Sequence, residues 1–295
     1  MLRVMNSPKF ENFYKKWYKK GIFIPILALI LSLVVVGIQF AQTGELFKRD
    51  VTLKGGISAS VYTDSLLEVT ELKERLGGDV EVRKLSDFAS GKDIGFSVSV
   101  SDLSAEELKQ KLEEILQEPL TEENLSISET GSKLGEAFFR QLMIAVLFAF
   151  IFMGVVIFLI FRTLIPSLAV IFAAFCDIAI TLAIVNLLGM SISSAGVVSF
   201  LLLIGYSVDT DVLLTTRVLK RRGKPLLERM KGAVKTGSTM TATTIIVLII
   251  ASLLTTSLIL KQMFLILLIG LIVDIFSTYL TNAGLIYWYA LRKGI

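Results

Sequence analysis

The sequence predicts a polytopic α-helical membrane protein: six transmembrane helices, with one α+β domain of ferredoxin-like (βαββαβ) order, extracytoplasmic, between the first and second. Three observations carry this. Six apolar runs are each long enough to cross a bilayer as a helix. A polar stretch of about 100 residues separates the first run from the other five, within the usual size of a domain. Positive charge collects at alternate ends of the runs, so that one topology puts every basic end on the same side.

Residues 1–21 form a basic tail, with Arg3, Lys9, Lys15, Lys16, Lys19 and Lys20 against one acid, Glu11. The apolar run at 22–41 follows. It is longer than the core of a cleaved signal peptide, and Gly37-Ile38-Gln39-Phe40-Ala41 offers no A-x-A cleavage pattern, so it reads as a permanent first helix with its tail in the cytoplasm.

Residues 42–140 read as the extracytoplasmic domain. Val51 to Tyr62 is β-rich, interrupted by Gly55-Gly56. A helix is expected from an Asp64 cap to Leu76, then strands at Val80–Leu85 and Asp93–Ser101. Ser104-Ala105-Glu106-Glu107 has the capping-box pattern and opens a helix to about Gln117. Asn124–Ser128 reads as the last strand. No cluster of catalytic residue types stands out, so binding or mechanical coupling is expected here rather than chemistry.

Residues 141–295 hold the remaining five runs: Gln141–Phe161, Ile165–Leu188, Ala195–Thr216, Met240–Leu260 and Phe264–Leu291. Between the third and fourth of these lies a basic loop, 217–239, whose only acid is Glu228. With six crossings and both termini cytoplasmic, this loop and the final Arg292-Lys293 fall inside, as the positive-inside rule requires. The loop's charge sets topology and attracts anionic lipid, or else docks an acidic partner.

Composition narrows the function. There is no histidine, which removes the commonest general base and metal ligand. No G-x-x-x-x-G-K-[ST] loop is present, so no means of using ATP is visible. The single cysteine, Cys176, lies in an apolar run. The expectation is a protein that is not an enzyme, has no cofactor, metal or nucleic acid, and draws its energy from a partner or an ion gradient.

The candidate site lies at membrane depth. Asp209 and Asp211 stand inside an apolar run, where a carboxylate costs about 2.5–3.5 kcal/mol on insertion scales, so such residues are functional by default. Two apart on a helix, they point to nearly opposite faces and cannot share one cavity. Asp177 sits among Ala169, Ala173 and Thr181 at four-residue spacing, the pattern of a close helix–helix seam. In the last run Gly270, Asp274, Thr278 and Asn282 recur every fourth residue, one polar stripe on an apolar helix. No lysine or arginine lies at that depth to neutralise these acids. Asp177, Asp209, Asp211 and Asp274 are therefore candidates for a proton relay, supported by Thr181, Thr278 and Asn282. The other reading is that they are permanently protonated groups that only hydrogen-bond neighbouring helices.

Gly205-Tyr206-Ser207-Val208-Asp209-Thr210-Asp211-Val212-Leu213-Leu214, followed by Arg217, resembles the fourth-helix signature of the SecD/SecF protein-export family, within the resistance-nodulation-division superfamily. Asp50-Val51-Thr52-Leu53-Lys54-Gly55-Gly56 is similar to the family's D-x(4)-G-G stretch after its first helix, and Asp177-Ile178-Ala179-Ile180-Thr181 to a D-x-x-x-T segment of its third. One domain between helices one and two is the arrangement of the family's SecF members. The resemblance implies a subunit that, with SecD, assists Sec-dependent export across the cytoplasmic membrane using the proton gradient. It implies SecD, the Sec translocon channel, unfolded preprotein segments and membrane lipid as partners. Asp209 falls where SecD-type members carry their key acid, whereas Thr210 stands where bacterial SecF members carry theirs. That departure resembles archaeal members. The alternatives are a half-size exporter of small molecules or lipids of the same superfamily, and a non-transporting scaffold subunit.

Overall fold

The structure is a computed structural model, and it describes residues 21–63, 67–77, 80–86, 93–101, 103–220, 223–255 and 257–294. The basic tail and the expected Asp64 cap lie outside the described residues.

Six helices are long and apolar enough to cross a membrane. They are α1 (Phe23–Thr43), α5 (Ser132–Phe161), α6 (Leu164–Leu187), α7 (Ser194–Lys220), α8 (Leu226–Leu254), and a last one built from α9 (Leu258–Phe276), a π-helical turn (Ser277–Asn282) and α10 (Ala283–Lys293). α6 and α7 are about half buried and form the centre, whereas α1, α5 and α8 present mostly open apolar surface.

The domain between α1 and α5 contains α2 (Val51–Lys54), β1 (Gly56–Tyr62), α3 (Val69–Leu76), β2 (Val80–Ser86), β3 (Asp93–Val100), α4 (Ala105–Leu116) and β4 (Leu125–Thr130). The strands form one antiparallel sheet in the order β2-β3-β1-β4. Alternation assigns its two faces. Ile57, Ala59, Val61, Phe96, Val98 and Val100 pack on Leu72, Leu76, Leu108, Leu112 and Leu116 of the two helices. The capping box at Ser104 and Glu107 forms as the sequence predicts. The opposite face is paved with hydroxyls, because the register aligns Ser99, Ser58 and Ser128 in one row and Ser97, Ser60 and Ser126 in the next.

Three expectations need correction at the level of elements. Val51–Lys54 is a helical turn rather than the start of a strand, and β1 begins only at Gly56. The helix expected from Asp64 begins at Val69, with Glu68 as its N-cap. The segment expected to be a loop over 217–239 is largely helical: α7 runs on to Lys220 and α8 starts at Leu226, well before Met240. A hydropathy pattern misses this because the segment is amphipathic. Leu227, Met230 and Ala233 bury against Val218, Ile286 and Tyr287, while Lys224, Glu228 and Lys235 stay exposed and the buried Arg229 donates to the Val218 carbonyl (2.7 Å).

The domain docks on the bundle through the loop between α6 and α7. Ile192 pairs with the strand-like stretch after α1: its N–H donates to the Lys48 carbonyl (2.7 Å), and the Asp50 N–H donates to the Ile192 carbonyl (2.9 Å). The Ser191 hydroxyl bonds both Glu81 carboxylate oxygens (2.9 and 2.8 Å), and Arg83 Nη2 donates to the Ser191 oxygen (2.8 Å).

Candidate functional site

Helices α6, α7 and the last crossing each bring one aspartate to a common point inside the bundle. Asp177, Asp211 and Asp274 are 0%, 0% and 1% exposed. The Ser207 hydroxyl donates to Asp177 Oδ2 (2.5 Å). Ser207 and Asp211 are one turn apart on α7, so the same face that carries the acid carries its neighbour's donor. Asn282 Nδ2 donates to Asp211 Oδ1 (2.7 Å). Thr278 Oγ1 lies 2.8 Å from Asp211 Oδ1 and 3.0 Å from Asp274 Oδ1. A hydroxyl has one hydrogen, so Thr278 serves one of the two carboxyls at a time.

Thr278 and Asn282 both lie in the π-helical turn, a form that occurs mostly as single turns inside α-helices and frequently at functional sites. Among the described residues, no lysine or arginine pairs with any of the three acids. One oxygen of each carboxyl (Asp177 Oδ1, Asp211 Oδ2, Asp274 Oδ2) has no donor, and neither has the Thr181 hydroxyl one turn beyond Asp177. Buried polar atoms are seldom left unpaired, so these atoms set the cluster apart from an ordinary apolar helix seam.

The sequence-predicted residues divide into two groups. Asp177, Asp211, Asp274, Thr278 and Asn282 come together, with Thr181 at the edge. Asp209 does not: it is exposed on the far side of α7, beside the exposed Gly205 and Tyr206. The opposite-faces expectation for Asp209 and Asp211 thus describes the helix as built. Arg217 is a tie rather than part of the cluster, since its Nη1 donates to the Gly232 carbonyl (2.8 Å) and to Thr236 Oγ1 (2.7 Å). Ser207 escaped sequence reasoning as a site residue, although its four-residue spacing from Asp211 was visible.

Asp50, Gly55 and Gly56 belong to the domain's hinge. Gly55 (φ +89°) packs so closely on α5 that an added Cβ would lie 2.3 Å from Ser132 Cα, and Gly135 returns the contact on the Gly55 nitrogen. Both chain crossings into the domain meet there.

The family described as "Protein export membrane protein SecD/SecF, C-terminal" matches residues 108–292. The chain is 40% identical over 280 residues to the protein-export membrane protein SecF of Methanocaldococcus jannaschii, covering 93% of this chain and 96% of that one. It is 32% identical over 283 residues to the SecF of Pyrococcus furiosus, covering 93% and 92%. Among solved structures it resembles the crystal structure of SecDF, a translocon-associated membrane protein, from Thermus, at TM-score 0.70 and 21% identity. The likeness covers 94% of this chain and 38% of that longer one.

Proposed function

The chain belongs to the SecD/SecF protein-export membrane protein family, and from that premise we propose that it is a SecF-type auxiliary subunit of the Sec translocase that couples the proton gradient to preprotein export. The observation that carries the reading is the buried cluster of Asp177, Asp211 and Asp274, held by three helices with no basic partner among the described residues. An unpaired charge is expensive to bury, so this cluster has a physical reason to hold protons. Thr278, placed between two of the acids, has a physical reason to report which one holds them. A proton arriving at Asp211 or Asp274 changes which oxygen Thr278 serves, an exchange its hydroxyl makes by rotation because both oxygens already lie within reach.

The exposed Asp209 supports a heteromeric assembly with SecD. A carboxylate facing lipid is unfavourable, so the face of Gly205, Tyr206 and Asp209 calls for a second protein surface. The basic ends of the helices support a topology with both termini in the cytoplasm and the β-sheet domain outside the cytoplasmic membrane. We read that domain as ferredoxin-like, and its outward position suits contact with the translocon channel and emerging unfolded preprotein. A non-transporting scaffold would have no use for three buried acids.

The test is export in vesicles that hold this chain with SecD and an imposed proton gradient. Asp211→Asn keeps size and hydrogen bonding but fixes the neutral state, so the complex should co-purify normally while gradient-driven export falls at least tenfold. Asp209→Leu should instead reduce co-purification. Full export by Asp211→Asn would defeat the relay reading.

A further inference from the structure

A cavity of about 380 Å³ lies between the hydroxyl-paved face of the sheet and the bundle. Ser58, Ser99 and Ser128 line its roof, Asp50 and Glu81 its flank, and Gln262 of α9 its floor. At ~30 Å³ per water it holds on the order of ten, and polar cavities of this kind are wet. Nothing in the proton-relay reading assigns it a role.

Two stripes descend from its floor toward the carboxyls. On α7, Ser199, Leu203, Ser207, Asp211 and Thr215 recur every fourth residue and are all buried, with exposures of 0% or 1%. On the last crossing, Gln262, Ile266, Gly270, Asp274, Thr278 and Asn282 also recur every fourth residue and are buried. Both helices begin at the domain side, so the stripes run in parallel. At the top they are polar and tied together. Gln262 Oε1 accepts from the Ser193 hydroxyl (2.5 Å) and N–H (3.2 Å), its amide donates to the Ser191 carbonyl, and Ser199 donates to the Met263 carbonyl (3.1 Å). At the bottom they are polar again, at Ser207 and Asp211 on one and at Asp274, Thr278 and Asn282 on the other, with Asp177 of α6 beside them.

Between these levels each stripe has one large apolar side chain. Leu203 fills the space over Gly270, where an added Cβ would lie 2.5 Å from Leu203 Cδ2, and it packs with Leu267, Leu271 and Leu248. Ile266 and Gln262 converge on Gly196 just above. From Ser199 to Ser207 is about 12 Å along the helix axis. Among the described residues, no side-chain hydrogen bond crosses that layer.

We propose that the hydroxyl-lined cavity is the outer water vestibule of the proton path, with Gln262 at its doorway and Leu203 with Ile266 as the dry shutter above the carboxyls. The proposal rests on the reading of those carboxyls as a proton site. The structure then represents a state closed to the vestibule, and also closed on the opposite side, where Leu214, Val218, Ile286 and Tyr287 pack together. Opening requires Leu203 to leave the Gly270 surface.

The test uses the full chain assembled in membrane vesicles, probed from the domain side with a membrane-impermeant, water-soluble carbodiimide. Adducts on Asp177, Asp211 and Asp274 are read by mass spectrometry. Leu203→Ser should raise adduct formation at least tenfold over the parent, adding Gln262→Leu should reverse most of that rise, and Leu214→Ser should give no rise from this side. A second measurement does not depend on tolerating a polar residue in the core. Ser99→Cys should react readily with an impermeant thiol reagent, and Leu203→Cys at least a hundredfold more slowly, the native Cys176 being fully buried. An unreactive Ser99→Cys, an unchanged Leu203→Ser, or an equal rise in Leu214→Ser would overturn the vestibule. Labelling reports access alone, so it stands or falls separately from the export defect of Asp211→Asn.

Discussion

Asp209 and Asp211 are two residues apart and end in opposite surroundings, one exposed and one with no exposed surface at all. The same principle, that a side chain's position on its element decides its chemistry, governs Gly55. Its φ of +89° is one that side chains rarely adopt, and the space where a Cβ would stand is already filled by the Ser132 backbone. Relief there means moving main chain, because no flexible side chain is available to give way. Gly55→Ala is therefore expected to destabilise the folded chain by about 1–3 kcal/mol, the usual size of such backbone strain, and to loosen the domain from α5. Thermal unfolding in detergent measures the first and proteolysis between the domain and α5 the second. A variant as stable as the parent would show that the hinge is looser than its geometry indicates.

At the scale of elements, the seam between β2 and the α6–α7 loop is the electrostatic part of domain docking. Burial works against the charge of Glu81, yet the Arg83 guanidinium, the Ser191 hydroxyl and Lys48 outweigh it and hold its carboxyl below the usual carboxylate range. Asp50 has the opposite sign, since burial, reinforced by the charge of Glu81, pushes its carboxyl up. A depressed carboxyl stabilises the fold above the ordinary value of about 4.3 and loses that contribution as the pH falls through its own lower value. A raised one contributes below its ordinary value of about 3.9 and loses the contribution as the pH rises through its higher value. Glu81→Gln should therefore weaken docking at neutral pH, by at most about 1 kcal/mol for a partly exposed ion pair. Hydrogen exchange of the Ile192 amide, which donates to Lys48, reads the change. The difference between parent and variant should shrink in acid, as the pH falls through the lowered value of the parent's Glu81 and that carboxyl takes up its proton. A difference that persists unchanged in acid would remove the charge of Glu81 from the explanation.

The whole molecule is two bodies of different solvent logic joined at one hinge and one seam. The domain's core, from Ile57 and Val61 through Phe96 and Val98 to Leu108 and Leu112, is closed within the domain itself. The bundle's core includes residues from outside its crossings: Phe47 and Leu53, beside the hinge, pack with Val185, Ile192 and Ile266. A fragment spanning residues 42–135 is therefore expected to fold alone into a mixed sheet-and-helix domain with a cooperative thermal transition, followed by circular dichroism. A spectrum dominated by helix, or a transition without cooperativity, would mean that the sheet depends on the bundle beneath it.

The apolar runs, the position of the domain between the first two, the β-α-β-β-α-β order and the polar stripe on the last crossing were all legible in the sequence. Each follows from local periodicity, which a single chain displays whatever it packs against. The long start of α8 was not legible, because its amphipathic first turns look like a charged loop until Met230 and Ala233 meet Tyr287. Nor could periodicity choose between Asp209 and Asp211. It showed that they diverge, but which one turns inward depends on where α6 and the last crossing lie around α7. The meeting of Asp177, Asp211 and Asp274, and the Leu203 layer above them, are properties of helix packing. They involve residues dozens of positions apart, and only the tertiary structure brings those together.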